Sequence, residues 1–479
     1  MTQADTLFKN AEIIDGSGAA RFTGDLAVRD DRIVGLGDLG DWHGGETVDC
    51  TGKVLAPGFI DPHTHYDETV LTDPELPSAV SQGVTTIING NCGFSIAPLT
   101  SGAAQLPEPL GSIVNSGRQR FGRFADYAAR LAAEPAAVNS ACLIGHSTLR
   151  VNVLDDLGRA AADGEVAAMR RQLDAALDEG ALGLSTGTFY PPARAAPTEE
   201  LIELSRVLKD HKALYVTHMR DEADKVLDSV EETLRIGREA SCGVHISHHK
   251  CAGLANHGRS PETLAVIDKA RRAQEVGLDA TPYIASSTML NSGRHRQASR
   301  VIVTWSKPHP ETAGRDLAEV AEEWGCSLDE AVDRLLPALG IFFIMDEQDV
   351  RRILSYPHTM ICSDAITLGA HPHPRTWGTF PRVIGHYARD VGLFSLEEAV
   401  RKITDLPATR FGLAGRGRLA EGNFADLVLF DAAEVIDAAT YEAPIALAPG
   451  IHQVFVNGRR VWRDGAASGA RPGRPLLRG

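Results

Sequence analysis

Apolar and polar positions change period twice along this chain. In the first 55 residues, short alternating runs such as LFKNAEIID, GDLAVRDDRIVGLGD and ETVDC predict strands. Gly-Ser-Gly at 16–18 and Asp-Asp at 30–31 separate them. The C-terminal stretch repeats the pattern in FADLVLFD and IHQVFVNGRRVW, where Asn457-Gly458 is a strong hairpin signal. The two β-rich ends, residues 1–55 and 415–479, predict one small β-sandwich domain, with ARPGRPLLRG as a frayed tail.

Between them, short apolar strands alternate with helical periods. Strand ends are expected near Asp61, Cys92, His146, Gly187, His218, His248, Ser286 and Asp364. The intervening stretches, EVAAMRRQLDAALDEG, TEELIELSRVLKDH and DKVLDSVEETLRIGREA among them, carry apolar residues at i, i+3 and i+4. Such strand–helix alternation predicts an α/β fold, a TIM-like (β/α)₈ barrel over residues 56–414. The gap before the last strand is too long for a simple connection. It holds two more helical patterns, GRDLAEVAEEWG and SLDEAVDRLLPALG, and predicts a lid insertion over 287–350.

Composition narrows the partners. A net charge of −15 argues against nucleic acid and anionic membranes. No stretch approaches the roughly 18 apolar residues of a spanning helix. The segment MTQADTLFKN has no secretory pattern, and the seven cysteines are scattered without a paired framework. A cytoplasmic location is therefore expected.

In GFIDPHTHYD, His63 and His65 lie two residues apart after an apolar strand, so they share a face. Imidazole is the commonest metal-ligating side chain, and two such rings supply half of a tetrahedral or five-coordinate site. Other strand ends offer His218 in YVTHMRDE, His248 or His249 in VHISHHK, Cys92 in INGNCGF and Asp364 in TMICSDA. The ends of barrel strands converge on one face, so these donors are expected to meet there. Inward alternation through Val244, Ile246 and His248 favours His248 over His249. His146 is a candidate polar wall group, and the remaining cysteines are read as packing residues.

APGFIDPHTH, QGVTTIINGNCG, GHSTLR, STGTFYPP, THMRDE, SHHK and HPHPRTWGTFPR together resemble the D-aminoacylases, the N-acyl-D-amino-acid deacylases of the amidohydrolase superfamily. The likeness runs essentially end to end, and NGNCG is its most specific segment. It implies one tight Zn²⁺ held by Cys92, His218 and His248, and a second, weaker position at His63, His65, Cys92 and Asp364. Cyclic-amide hydrolases of the superfamily generally bridge two metals with a carboxylated lysine on the fourth strand. Here that strand, EGALGLSTGTFY, has no lysine, and the Cys92 thiolate is the available bridge.

The chemistry expected is hydrolysis of a linear amide, with Asp364 as general base toward water and then proton donor to the departing amine. Tyr190 is a candidate hydrogen-bond donor to the oxyanion. Arg375 matches the family position for the α-carboxylate of the amino acid, with Tyr283 and Ser287 assisting from the seventh strand and Lys250 as another cation. By register, Arg296 replaces an aliphatic residue of members that prefer hydrophobic side chains, with Arg294 beside it and Phe189, Phe342 and Met345 as the apolar wall. A guanidinium in such a pocket needs an anionic partner, so the expected substrates are N-acyl-D-glutamate first and N-acyl-D-aspartate next. Exposed decoration of the lid is the alternative for both arginines.

Three rival readings follow from the same residues. They are a broad or hydrophobic-specific D-aminoacylase, a dipeptidase acting on L-Xaa-D-Xaa, and a non-enzymatic scaffold on the same fold. The last is disfavoured because every ligand position is kept. The sequence is silent on oligomeric state.

Overall fold

The two ends of the chain meet in one nine-stranded sheet. In this computed structural model, which describes residues 2–102, 106–113 and 120–479, Thr2–Ile13 pairs with Phe22–Arg29, Trp42–Asp49 and Val54–Pro57. Val54–Pro57 in turn pairs with Leu427–Phe430, which leads to Ile451–Val456. Phe8 and Phe455 stand three strands apart in that order, about 14 Å in a flat sheet, yet their rings meet edge-on at 5.1 Å. The sheet therefore bends over a buried cluster that includes Ile13, Leu26, Val28, Ile33, Leu55 and Leu427. Each large apolar side chain so buried is worth about 2 kcal/mol.

Eight parallel segments follow in chain order. They are Phe59–Asp61, Val84–Asn89, Asn139–Cys142 with Ile144–Gly145, Gly183–Gly187, Leu214–His218, Gly243–Ile246, Val276–Ala280 and Thr359–Ile361. Neighbours pair in sequence order. Leu143 N donates to Asn89 O at 2.9 Å, linking the third segment to the second at its upper end. The first and last are tied by a bridge between Thr64 and Ala365, with His65 N donating to Ala365 O and Asp364 N to His63 O, both at 3.0 Å.

One side of this array is a buried cluster of Ile60, Ile88, Ala141, Leu143, Leu182, Leu214, Val216 and Met360. The other side packs on amphipathic helices. Val226–Ala240 buries Val226, Val230, Leu234 and Gly237, one stripe at helical spacing. A methyl group at Gly237 would fall 2.4 Å from Val244 Cγ1, so this close helix–strand approach requires glycine.

Three expectations are corrected. The seventh parallel segment ends at Ala280, not near Ser286: Pro282 interrupts the β pattern, and Ala285–Met289 belongs to a separate antiparallel sheet with Ala338–Phe343 and Val301–Ser306. That sheet shares its stretch of chain with the two expected helices, Leu317–Glu323 and Leu328–Leu335. The C-terminal tail is docked, with Ser140 N bonded to Arg474 O and Leu476 N to Ser140 O. Among the described residues, no helix is long and apolar enough to cross a membrane.

Candidate metal centre

The donors converge where the parallel segments end. Cys92 Sγ lies 3.2 Å from His63 Nε2, 3.7 Å from His218 Nδ1 and 3.4 Å from His248 Nε2. Zinc bonds of about 2.3 Å to sulfur and 2.0–2.1 Å to nitrogen at tetrahedral angles place those atoms about 3.5 Å apart. The spacing therefore fits one zinc-sized ion among Cys92, His218 and His248. A second group, His63, His65, Cys92 and Asp364, also has its donor atoms within 4.8 Å of one another, and Cys92 is common to both. All of these residues are buried.

Local backbone aims them. Pro62 bends the chain beyond Asp61, and Thr64 turns outward to bond Ile88 O and Asn89 Oδ1 at 2.9 and 2.7 Å. His63 and His65 are thereby left on the inner side. Cys92, His248 and Asp364 all have positive φ, at 53°, 35° and 48°. Non-glycine residues seldom adopt that region, and such strain concentrates where a side chain must be re-aimed.

This explains a strand whose facing is the reverse of the one expected. His245 pairs with Val216, an inward residue, so His245 faces in and Val244 and Ile246 face the helices. Alternation alone would then carry His249 inward. The turn at His248 reverses this, and His249 Nε2 instead meets Thr263 Oγ1 at 2.9 Å.

Charge in the site is balanced by pairing. Burial pushes the Cys92 thiol up, but the neighbouring His63 and His248, with hydrogen bonds from His218 and His248, hold it well below its ordinary value. Burial likewise opposes ionisation of Asp364, and Arg375, His65 and His63 outweigh it. Asp364 Oδ1 sits 3.3 Å from His65 Nε2, and Oδ2 sits 2.8 Å from Arg375 Nη2. A thiolate, a carboxylate and imidazoles, which would give up their protons to a metal ion, make a donor set matched to Zn²⁺.

Two buried acids complete the surroundings, and neither was singled out from sequence. Asp279 accepts from His248 N at 2.5 Å, His245 Nε2 at 2.6 Å and Cys362 Sγ at 3.0 Å, with His63 Nδ1 3.8 Å away. Glu222 lies 2.9 Å from His248 Nδ1, 3.6 Å from His218 Nε2, and 2.5 Å from both Lys250 Nζ and Arg294 Nη2. The sequence signals were a lone acid inside the apolar run VGLDA, and an acid four residues after His218 in THMRDE.

A family profile described as the amidohydrolase family matches residues 46–462. The chain belongs to the amidohydrolase family. It is 54% identical over 474 residues to a D-aminoacylase of Alcaligenes xylosoxydans xylosoxydans, covering 99% of this chain and 98% of that one. An N-acyl-D-aspartate deacylase of the same organism is 52% identical over 479 residues, covering 100% and 96%. A crystal structure of N-acyl-D-glutamate deacylase from Bordetella bronchiseptica, complexed with zinc and a phosphonate mimic of the tetrahedral intermediate, superposes with a TM-score of 0.94. It is 43% identical and covers 100% of both chains.

The other expected residues of this amidohydrolase divide into near and far. Tyr190 stacks edge-on to His218 at 4.8 Å and accepts from Thr288 Oγ1 at 3.4 Å. Phe189 stacks on His218 at 5.3 Å, with Arg294 4.8 Å above its ring. Arg296 lies outside: its side chain is 64% exposed and pairs with exposed Asp329, because one turn of 3₁₀ helix, Arg294–Arg296, buries Arg294 and His295 and turns Arg296 out. Ser287 stands half-buried on the antiparallel sheet rather than at a parallel strand end. Tyr283 packs edge-on to His373 at 5.2 Å and beneath Arg382, with its hydroxyl toward Gly378. His146 turns away from the donors, its Nε2 2.9 Å from Glu200 Oε1.

Proposed function

We propose that this chain is a zinc-dependent N-acyl-D-amino-acid deacylase, hydrolysing the amide to a carboxylate and a free D-amino acid. The observation that carries this reading is Cys92 Sγ standing at ligand-pair distance from His218 Nδ1 and His248 Nε2. It does so in a chain that matches a D-aminoacylase over nearly its whole length. The eight parallel segments are read as a (β/α)₈ barrel over 56–414, with 287–350 as a lid and 1–55 with 415–479 as a β-sandwich domain. The bent terminal sheet and the Thr64–Ala365 bridge support that reading.

Cys92, His218 and His248 hold the tight zinc, and His63, His65, Cys92 and Asp364 hold the weaker position. Bound there, zinc would lower the pKa of water toward about 7 and polarise the scissile carbonyl. Asp364 takes the water's proton on Oδ1 and returns it to the amine nitrogen as the tetrahedral intermediate collapses. Tyr190 donates from its phenol to the developing oxyanion. Arg375 receives the α-carboxylate, its Nε being buried with no hydrogen-bond partner while Nη2 is paired with Asp364 Oδ2.

The side-chain class we propose is acidic, N-acyl-D-glutamate and N-acyl-D-aspartate. Two buried cations, Lys250 and Arg294, share the single carboxylate of Glu222, which leaves one positive charge for a substrate anion. A deacylase for apolar side chains is the second reading, favoured by Glu222 already occupying Arg294. The test is kcat/KM for N-acetyl-D-glutamate, N-acetyl-D-aspartate and N-acetyl-D-leucine with zinc supplied. The acidic pair is expected to lead; leucine leading by tenfold overturns the acidic assignment.

A further inference from the structure

Glu222 faces two zinc-ligand imidazoles and two buried cations at once. Its side chain is completely buried, and both oxygens are used. Oε1 faces His248 Nδ1 at 2.9 Å and Lys250 Nζ at 2.5 Å; Oε2 faces His218 Nε2 at 3.6 Å and Arg294 Nη2 at 2.5 Å. The two imidazoles present opposite nitrogens to Cys92, His218 through Nδ1 and His248 through Nε2. A lone pair on each of those nitrogens requires the proton on the other one. Those other nitrogens are the two that Glu222 faces.

We propose that Glu222 is a positioning residue that fixes the tautomer and ring orientation of His248, with His218 Nε2 beside it at 3.6 Å, while anchoring Lys250 and Arg294. A carboxylate behind a metal-binding imidazole raises its basicity and locks its rotation. Here the carboxylate is within hydrogen-bond distance of the His248 ring, and the His218 nitrogen lies at 3.6 Å without a hydrogen-bond partner. Lys250 Nζ also lies 2.8 Å from His248 Nδ1. Without Glu222 to accept from Nδ1–H, that ammonium would donate to Nδ1 and favour the tautomer that cannot ligate through Nε2. Arg294 and Lys250 then count as counter-charges that keep the buried carboxylate ionised, in addition to any part they play in substrate choice. The zinc assignment comes from the proposed function; the substrate assignment is not needed.

The test is zinc affinity of the purified chain, by competition with a chelator, together with the visible spectrum of the cobalt(II)-substituted protein. Glu222→Gln is expected to weaken zinc binding 10–100-fold and to shift the cobalt–thiolate band. Because Glu222→Gln strands two buried cations, Glu222→Gln/Arg294→Gln restores the net charge of the wild-type cluster, with Lys250 as its one remaining cation, and Arg294→Gln alone is the control. The double variant is expected to lose zinc affinity as the single does, and the control to keep it within about threefold. Wild-type zinc affinity in the folded double variant overturns the proposal, as does an equal loss in Arg294→Gln. Wild-type protein that binds zinc but hydrolyses no N-acyl-D-amino acid would refute the deacylase reading and leave this one standing.

Discussion

Arg375 Nη2 lies 2.8 Å from Asp364 Oδ2, which leaves Oδ1 of the same carboxylate turned toward His65 and His63. The guanidinium thus holds the proposed base on the side away from the donor cluster, in an environment that keeps it charged. Asp364→Asn preserves the shape and the oxygen facing His65 but cannot accept a proton. Zinc content of the variant is expected to stay near that of the wild type while kcat falls about 10²–10⁴-fold. Metal analysis and steady-state kinetics on one preparation check both halves.

Arg375→Lys keeps a positive charge but loses the planar fork. KM for the N-acyl-D-amino acid is expected to rise about 10²-fold, the loss of a charge-assisted bidentate contact of 2–3 kcal/mol. A change confined to kcat would instead place Arg375 only behind Asp364.

Tyr190 meets His218 edge-on at 4.8 Å and is buried, so Tyr190→Phe removes one oxygen without opening a cavity. Zinc content and KM are expected to hold while kcat drops about 10²-fold. Unchanged kinetics would reduce Tyr190 to packing.

Away from the site, Glu200 joins His146 and Arg150 in a buried network, Arg150 Nη1 reaching both carboxylate oxygens at 2.6 and 2.8 Å. Burial raises the Glu200 carboxyl, but hydrogen bonds from His146 and Arg150 hold it at about 2. A carboxyl depressed on folding stabilises the protein fully above its unfolded value of about 4.3 and loses that contribution as pH falls toward 2. Denaturant unfolding of the wild type is therefore expected to weaken between about pH 5 and pH 2, and Glu200→Gln to flatten that slope. At neutral pH the variant should lose about 3–5 kcal/mol, because Arg150 is left buried without its anion.

The hydrophobic pattern made the alternation of parallel strands and amphipathic helices readable, as in Val226–Ala240 with its stripe of Val230, Leu234 and Gly237. It could not divide VGLDATPYIASSTM into two strands of different sheets, since both halves look alike to a period of two and only Pro282 marks the break. Ligand candidates were visible as residue types. The facing of His248 was not, because it depends on one residue with positive φ that no alternation rule foresees. Arg294 and Arg296 differ by two positions, and the turn of 3₁₀ helix decides which is buried. Glu222 and Asp279 act through contacts with residues distant in the chain, so their roles emerge only when the strand ends are assembled.

Cys92, His218 and His248 are proposed to grip one zinc ion. An anomalous difference map at the zinc edge, from crystals of the zinc-loaded protein, tests it directly. A peak is expected about 2.3 Å from Cys92 Sγ and 2.0–2.1 Å from His218 Nδ1 and His248 Nε2. Zinc bound elsewhere, with Cys92 Sγ outside bonding distance, would contradict it.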